Sequence, residues 1–347
     1  MNKKFKILFC NEDYGSLEQN IFLIKILSKK KLLDKKNSII VCNSKFKERL
    51  QKINLSKIFS DDFKKIKKRI SRYLAFTKID IAIMGMSFKK NSLDFQITEF
   101  MNSYDIKTLC IQDFWGNTGN FNSKVFPKYL FVADAYANKL TKQRIKSKTI
   151  ISGLPKYLIK KPLFHFNGKD KNENLLIVGQ PKYVSATNEY LKFIDKLDYS
   201  NLDNVYYLPH PAETKSVLFN KKIKQLDRNN WSKVLSSKII IISPYSTLSY
   251  DILFSSLFTN KIINLKLVFL VFKPEIYNYT KKIIGDYRLP LVNNKNIFQL
   301  LNSKNFGITF PKIIKNKYHT RLTLKKYFKE NHKEKKFLIN LIKIIRN

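Results

Sequence analysis

Glycine is scarce in this chain, 9 of 347 residues. Neither a Gly-x-Gly-x-x-Gly phosphate loop nor a P-loop occurs, which disfavours a nicotinamide enzyme or an NTPase. Cysteine is scarcer. Cys10, Cys42 and Cys110 each lie in or beside an apolar strand-like run, and their spacing suits neither a zinc site nor a disulfide framework. They read as small buried hydrophobes in a reducing compartment. No window approaches the roughly 20 apolar residues of a membrane-spanning helix. The longest candidate, 262–272, is interrupted by Asn264 and Lys266. The apolar run near the N-terminus is too short for a signal peptide, so a cytoplasmic protein is expected. Acids are few as well: 26 against 66 lysines and arginines, a formal net charge of +40. That balance favours anionic partners, but lysine is spread along the chain and equally suits solvated faces. There is no Arg/Gly-rich tail, aromatic RNP-like run or zinc knuckle, so a nucleic-acid partner is not expected. No Gly-x-Ser-x-Gly elbow is present, against an α/β-hydrolase. His165, His319 and His332 form no pair with metal-ligand spacing, and neither metal nor cofactor is expected.

What the chain has is alternation. Strand-like runs at 6–9, 38–42, 79–84, 106–111, 129–132 and 148–152 are separated by segments with helical spacing. These include 17–33, which Ser16 and Gln19 would open as a capping box, the lysine-rich 44–76, 93–104, and a helix that Asp134 caps. Phe46, Leu50, Ile53, Ile58 and Phe63 are expected inside. A polar, irregular stretch at 160–174 then reads as a linker. Alternation resumes with strands 175–178, 205–208, 238–242 and one near Ile262, and a helix from about Asn188. This is the signature of parallel sheets with helices on both faces. The expected architecture is α/β, two Rossmann-like parallel-sheet halves with a cleft between them. The expected bounds are 1–158, 172–318, and a basic C-terminal helix over 319–347.

The candidate chemistry sits where strands end. Val205 to Leu208 stops at Pro209-His210-Pro211, two prolines fixing the backbone around one imidazole before a helix-compatible segment from Ala212. Gly179-Gln180-Pro181 follows one neighbouring run and Ser243-Pro-Tyr-Ser246-Thr247 follows another. Ligands bind outside the carboxyl ends of strands in open α/β sheets, and a helix start offers free N–H groups to a phosphate. Ser246-Thr247 also reads as a plain N-cap, and His210-Pro211 as a simple turn. Their occurrence on three successive strand ends is what favours a phosphate site.

Gly179-Gln-Pro, Leu208-Pro-His-Pro-Ala-Glu213 and Ser243-Pro-Tyr-Ser-Thr247 resemble donor-site motifs of bacterial GT-B glycosyltransferases. They are most similar to the His-Pro and Ser-Ser/Thr motifs of sialyltransferases and capsule-type Kdo transferases. The resemblance implies that His210, Pro211, Ser246 and Thr247 hold the CMP part of a CMP-linked acidic sugar, with Gln180 lining the cleft. It also implies an acidic motif with a general base in the N-terminal half. Asn11-Glu12-Asp13-Tyr14-Gly15 matches it in part, since Tyr14 separates the acids from the glycine. An attacking hydroxyl must lose its proton to some such carboxylate. Asp13 or Asp113 is expected as the base, with Glu12 and Trp115 lining the acceptor side. Trp115 and Phe114 beside Asp113 suit stacking on a sugar, or else an aromatic corner. Val132-Ala-Asp134 and Gly153-Leu-Pro155 resemble architecture of such chains rather than chemistry. No Asp-x-Asp motif of metal-dependent GT-A transferases occurs.

The expected function is therefore an inverting, metal-independent transferase that moves a sialic-acid- or Kdo-like sugar to a cell-surface glycan such as capsule or lipopolysaccharide. UDP-sugar transferases and UDP-GlcNAc 2-epimerases share the implied architecture. A non-catalytic glycan- or surface-binding protein is the alternative of another class. The tail from Lys325 to Arg346 has a basic amphipathic pattern. It reads either as a helix lying on an anionic membrane at the inner face or as a closing helix packed on the sheet.

Overall fold

The structure is a computed structural model. It describes residues 3–122, 124–159, 161–167, 169–170, 172–180, 187–211, 213, 220–244, 246–259, 263–270, 278, 280–282, 285–286, 288–292, 297–300, 309–313, 315 and 321–347. Two compact units emerge. The first comprises 1–159, 283–285 and 329–347, the second 160–282 and 286–328.

Unit 1 contains β1 (Ile7–Asn11), α1 (Tyr14–Lys29), β2 (Ile39–Cys42), β3 (Ser56–Phe59), α2 (Phe63–Phe76), β4 (Ile81–Met84), α3 (Leu93–Ser103), β5 (Thr108–Ile111), β6 (Tyr129–Val132), α4 (Ala135–Lys142), β7 (Lys148–Ile151) and α5 (Pro155–Leu158). The sheet order is β3-β2-β1-β4-β5-β6-β7, with every pairing parallel. β1, β2, β4 and β5 are buried at every position. Such strands read as continuous apolar runs because helices cover both faces. α2 instead buries only Ile66 and Ile70, one turn apart, and turns its lysines to solvent. Asp62 caps it by accepting from the Lys64 amide at 2.8 Å.

Unit 2 contains β8 (Glu173–Val178), α6 (Thr187–Asp195), β9 (Asn204–Leu208), β10 (Ile223–Gln225), β11 (Lys238–Ser243), α7 (Thr247–Ser256), β12 (Asn264–Leu270) and β13 (Ile297–Leu300), followed by α8 (Arg321–Asn331). Its order is β10-β9-β8-β11-β12-β13, again all parallel. The expected linker packs here: the Asn167 amide donates to Leu235 O at 2.7 Å. Lys266, which interrupts the apolar run of β12, is buried, and its ammonium donates to the Ile313 carbonyl.

Several expectations need correction. The stretch 44–76 is not helical throughout: two short 3₁₀ turns, Ser44–Phe46 and Glu48–Leu50, and β3 precede α2. Strands β10 and β13 were not expected. All three unforeseen strands lie at sheet edges, where strands run short and polar. α1 starts at Tyr14, two residues before Ser16, so the capping box does not form. Ser16 Oγ donates to Asp13 O at 3.0 Å, and Gln19 Oε1 accepts from the Lys156 amide at 3.2 Å. The helix expected from Ala212, and Pro181, Tyr245, Ile262 and His319, lie outside the described residues.

The segment 319–347 is not one element. α8 is followed by α9 (Glu334–Arg346), and residues from 329 onward belong to unit 1. Phe337, Leu338, Leu341, Ile344 and Ile345 are core residues there, with Phe337 edge-on to Phe131 at 5.0 Å between centroids. The apolar face expected to meet a membrane is thus occupied by the sheet. No helix among the described residues is long and apolar enough to cross a membrane. His332, just before α9, is buried against the Gly153 turn, where its Nδ1 accepts from the Leu154 amide at 3.0 Å. Gly153 has φ +79°, and a Cβ there would meet Asn331 O at 2.7 Å. Burial, with Lys156 nearby, pushes the His332 imidazole down to about 3, so it is neutral in the fold.

If α9 closes the core of unit 1, Phe337→Ala should cost about 3–5 kcal/mol, the range for emptying a buried aromatic site. Chemical denaturation of the whole chain checks this, with the loss expected in the transition of unit 1.

Candidate functional site

Parallel strands deliver all their carboxyl ends to one sheet edge. In unit 1 strand order reverses between β1 and β4, and in unit 2 between β8 and β11. At such a switch point the flanking connections leave in opposite directions and open a crevice. The loops that follow these strands hold the candidate residues.

In unit 1, β1 leads into Glu12 and Asp13, β4 into Gly85 to Ser87, and β5 into Gln112 and Asp113. Asp13 occupies the N-cap position of α1 in extended conformation, yet makes no side-chain cap bond. Ser87 and Lys45 lie near enough to its carboxylate to oppose the effect of burial. The Ser87 hydroxyl oxygen accepts from the Lys89 amide at 3.1 Å. The Ser87 amide donates to Asp94 Oδ2 at 3.2 Å. Asn117 fixes the remaining side, donating from Nδ2 to Asp113 Oδ1 at 2.6 Å and to Met86 O at 3.0 Å. The Asn120 amide donates to Ser87 O at 2.9 Å. Gly15 lets Asp113 approach α1: a Cβ there would lie 2.6 Å from Asp113 Oδ2, and that carboxyl would have to shift.

This cluster holds carboxyl groups in a dry place. Burial raises Asp13, against the opposing effects of the Ser87 hydroxyl and Lys45. Burial likewise raises Asp113, opposed by Asn117. Asp94 is raised well above the ordinary range, first by burial and then by Asp13 and Glu12, and its Oδ1 has no hydrogen-bond partner. Desolvation disfavours the charged form, so these acids hold protons further toward neutral pH than free ones. Cys10, Cys42 and Cys110 are buried free thiols raised by burial, Cys42 to about 12.

Two expected site residues do other work. Glu12 is buried: Oε2 accepts from the Leu93 amide at 2.9 Å, holding the start of α3, and Oε1 accepts from Lys89 Nζ at 3.1 Å. Trp115 is 0% exposed and donates from Nε1 to Asp134 Oδ2 at 2.7 Å. Its ring fills an aromatic corner with Phe114 and offers no face to a sugar. Asp134 Oδ1 caps α4 by accepting from the Ala137 amide at 2.8 Å, as its architectural reading implies.

In unit 2 the turn after β9 is locked by Glu213. Its Oε2 accepts from the His210 amide at 2.8 Å and its Oε1 from the Tyr207 hydroxyl at 2.7 Å. Gly179, after neighbouring β8, allows this approach: a Cβ there would lie 2.6 Å from Glu213 Oε2 and 2.8 Å from the His210 amide. The Arg228 guanidinium donates to the His210 carbonyl. Burial, then Arg228, push the His210 imidazole down to about 4, with Glu213 opposing. The ring is therefore neutral at pH 7 and carries one N–H. Gln180 is buried and Pro211 exposed. Ser246 caps α7 through the Leu248 amide at 3.2 Å, while Thr247 begins that helix half-buried. With strands spaced about 4.8 Å apart, the ends of β9, β8 and β11 span about 10 Å, which suits a nucleotide. Asp94 and Arg228 escaped the sequence reading. Glu213 stood at the end of the His-Pro motif and Ser87 after an apolar run, but neither was given a role. Among the described residues no group of His, Cys, Asp and Glu could hold a metal ion.

No protein-family model matches the sequence, and no curated protein is similar to it in sequence. Solved structures are similar in fold. The kitacinnamycin glycotransferase superposes with TM-score 0.65 at 7% identity, covering 99% of this chain and 100% of its own. Spinosyn rhamnosyltransferase SpnG complexed with thymidine diphosphate gives 0.55 at 9%, covering 98% and 100%. The UDP-GlcNAc 2-epimerase from Neisseria meningitidis bound to UDP-GlcNAc gives 0.55 at 12%, covering 99% and 100%. At such identities the likeness establishes the fold: two Rossmann-like units of the GT-B kind.

Asp94 generates a prediction. Its folded-state carboxyl is raised above the unfolded value of about 3.9, so its contribution is full below that value and lost as pH rises. Asp94→Asn should raise the melting temperature at pH 7–8 relative to wild type and leave it little changed near pH 4. Melting curves of both proteins across that range check it.

Proposed function

We propose that this chain is an inverting glycosyltransferase that uses a nucleotide-linked sugar. The observation that carries the reading is a division of chemistry between two switch points. Unit 2 has a neutral imidazole and a helix start at its strand ends, and unit 1 holds a carboxyl group that makes no cap bond. In the proposed step the acceptor hydroxyl oxygen attacks the anomeric carbon, and its proton passes to Asp13. The bond from that carbon to the donor's phosphate oxygen breaks, and the nucleotide leaves with the electron pair. A single displacement of this kind inverts the anomeric centre. Burial raises Asp13, so its ionised form is a stronger base than an ordinary carboxylate. Asp113, pinned by Asn117 against α1, is the alternative base.

The finer reading is a CMP-linked sialic-acid- or Kdo-like donor, held without a metal by His210, Pro211, Ser246 and Thr247 with Gln180 beside them. The acceptor would be a surface glycan of the capsule or lipopolysaccharide kind, and the reaction cytoplasmic. This rests on motif resemblance. The fold likeness to an epimerase bound to UDP-GlcNAc favours a second reading, a UDP-sugar transferase or 2-epimerase-like enzyme.

Thermal-shift and calorimetric titration with CMP, UDP, GDP and ADP, each with and without magnesium, separates these readings. Stabilisation by CMP alone and without metal supports the first, and selectivity for UDP supports the second. His210→Ala should weaken nucleotide binding about tenfold or more, since a hydrogen bond to a charged group contributes about 1.5–3 kcal/mol; unchanged affinity sinks the donor-site assignment. Asp13→Asn should lower kcat by about 10²–10⁴ while leaving nucleotide affinity intact. A full rate in Asp13→Asn with a collapsed rate in Asp113→Asn would transfer the base role to Asp113.

A further inference from the structure

With Trp115 buried, the site lacks its expected sugar platform. Of the exposed large apolar side chains among the described residues, Tyr14 alone lies where a strand hands over to a helix, three residues past the end of β1. Phe76 ends α2, Tyr104 and Phe258 follow helices, and Ile339 lies within α9. Tyr14 is the first residue of α1, next to Asp13, and is 40% exposed.

The ring is fixed rather than loose. Phe46, itself fully buried, meets it edge-on at 4.9 Å and 87°. The Arg49 guanidinium carbon lies 5.6 Å from its centroid, and Glu18 anchors that guanidinium. Phe46 and Arg49 come from the two 3₁₀ turns after β2, the strand beside β1. Those turns are tied down by the Ser44 amide, which donates to Asp61 Oδ1 at 3.1 Å. A half-open aromatic ring held on two sides keeps apolar surface in water, and its rigidity lowers the ordering cost of a ligand that covers it.

We propose that Tyr14 is the platform on which a pyranose unit of the acceptor stacks, with Arg49 and Lys45 as hydrogen-bond donors at its rim. This rests on the glycosyltransferase reading. The apolar C–H face of a pyranose lies on an aromatic ring, and its hydroxyls point outward to polar neighbours. Lys45 sits 4.9 Å from the Phe46 centroid and acts electrostatically on Asp13, so the rim and the base share one locality. Tyr14 and Asp13 are adjacent, with Cα atoms about 3.8 Å apart, so a sugar on the ring lies beside the residue that carries the base. The tyrosine that breaks the acidic motif is on this view the acceptor subsite.

The test uses the full chain and an array of defined oligosaccharides ending in hexose, N-acetylhexosamine, uronate or sialic acid. Wild type should retain at least one class. Tyr14→Ala should weaken that retention tenfold or more, Tyr14→Phe should keep it within about twofold, and both should melt as wild type does. Nucleotide affinity should be unchanged in both, because the nucleotide site lies in unit 2. Equal retention by Tyr14→Ala and wild type overturns the platform, as does a wild type that retains no glycan. If retention depends on Tyr14 but no nucleotide binds and no sugar is transferred, the platform stands and the transferase reading falls. If the KM for a working acceptor is unaffected by Tyr14→Ala while transfer proceeds, the reverse holds.

Discussion

Parallel pairing is the constraint on which the rest depends. Every strand of both sheets runs the same way as its neighbours, so every strand end that leads into a helix lies along a single edge. Residues far apart in sequence become neighbours only for this reason. Asp13, Ser87 and Asp113 follow three strands that lie side by side, and in unit 2 Gly179 and His210 follow two strands while Ser243 ends a third beside them. The reversal of strand order then opens the edge at one point in each unit.

The two edges have opposite electrostatic characters. In unit 1, carboxyl groups are crowded into a buried region, with the Ser87 amide bonded to Asp94. Crowding and desolvation destabilise their ionised forms, a cost typical of functional sites. In unit 2, burial and a neighbouring guanidinium keep His210 neutral, while Glu213 braces the turn from below. A neutral imidazole donates a hydrogen bond without adding a fixed charge. Of the many cations behind the net charge of +40, Lys45, Lys89 and Arg228 take part in these clusters; the lysines of α2 lie on a solvated face.

The tail shows how composition misleads. Its lysines and apolar positions form an amphipathic pattern that suits a lipid surface and a protein core equally. Phe337 and its neighbours face the sheet of unit 1, so the second alternative holds. Trp115 makes the same point, since an aromatic beside an acid reads as a sugar platform until the indole is found bonded to Asp134.

The sequence by itself determined the α/β alternation, the interior strands and the strand ends that carry candidate chemistry. Strands buried on both faces are continuous apolar runs, and prolines or small polar residues mark where they stop. Edge strands β3, β10 and β13 were illegible because one exposed side leaves only a few alternating residues. Only tertiary structure decided which loops adjoin, because strand order is set by pairing across the sheet and not by position in the chain. It alone put Asp94 beneath Ser87, Glu213 against Gly179, Glu12 at the start of α3, and Tyr14 in the open where Trp115 was expected. Burial depends on what packs above a residue, and in these cases the covering segment comes from a distant part of the sequence.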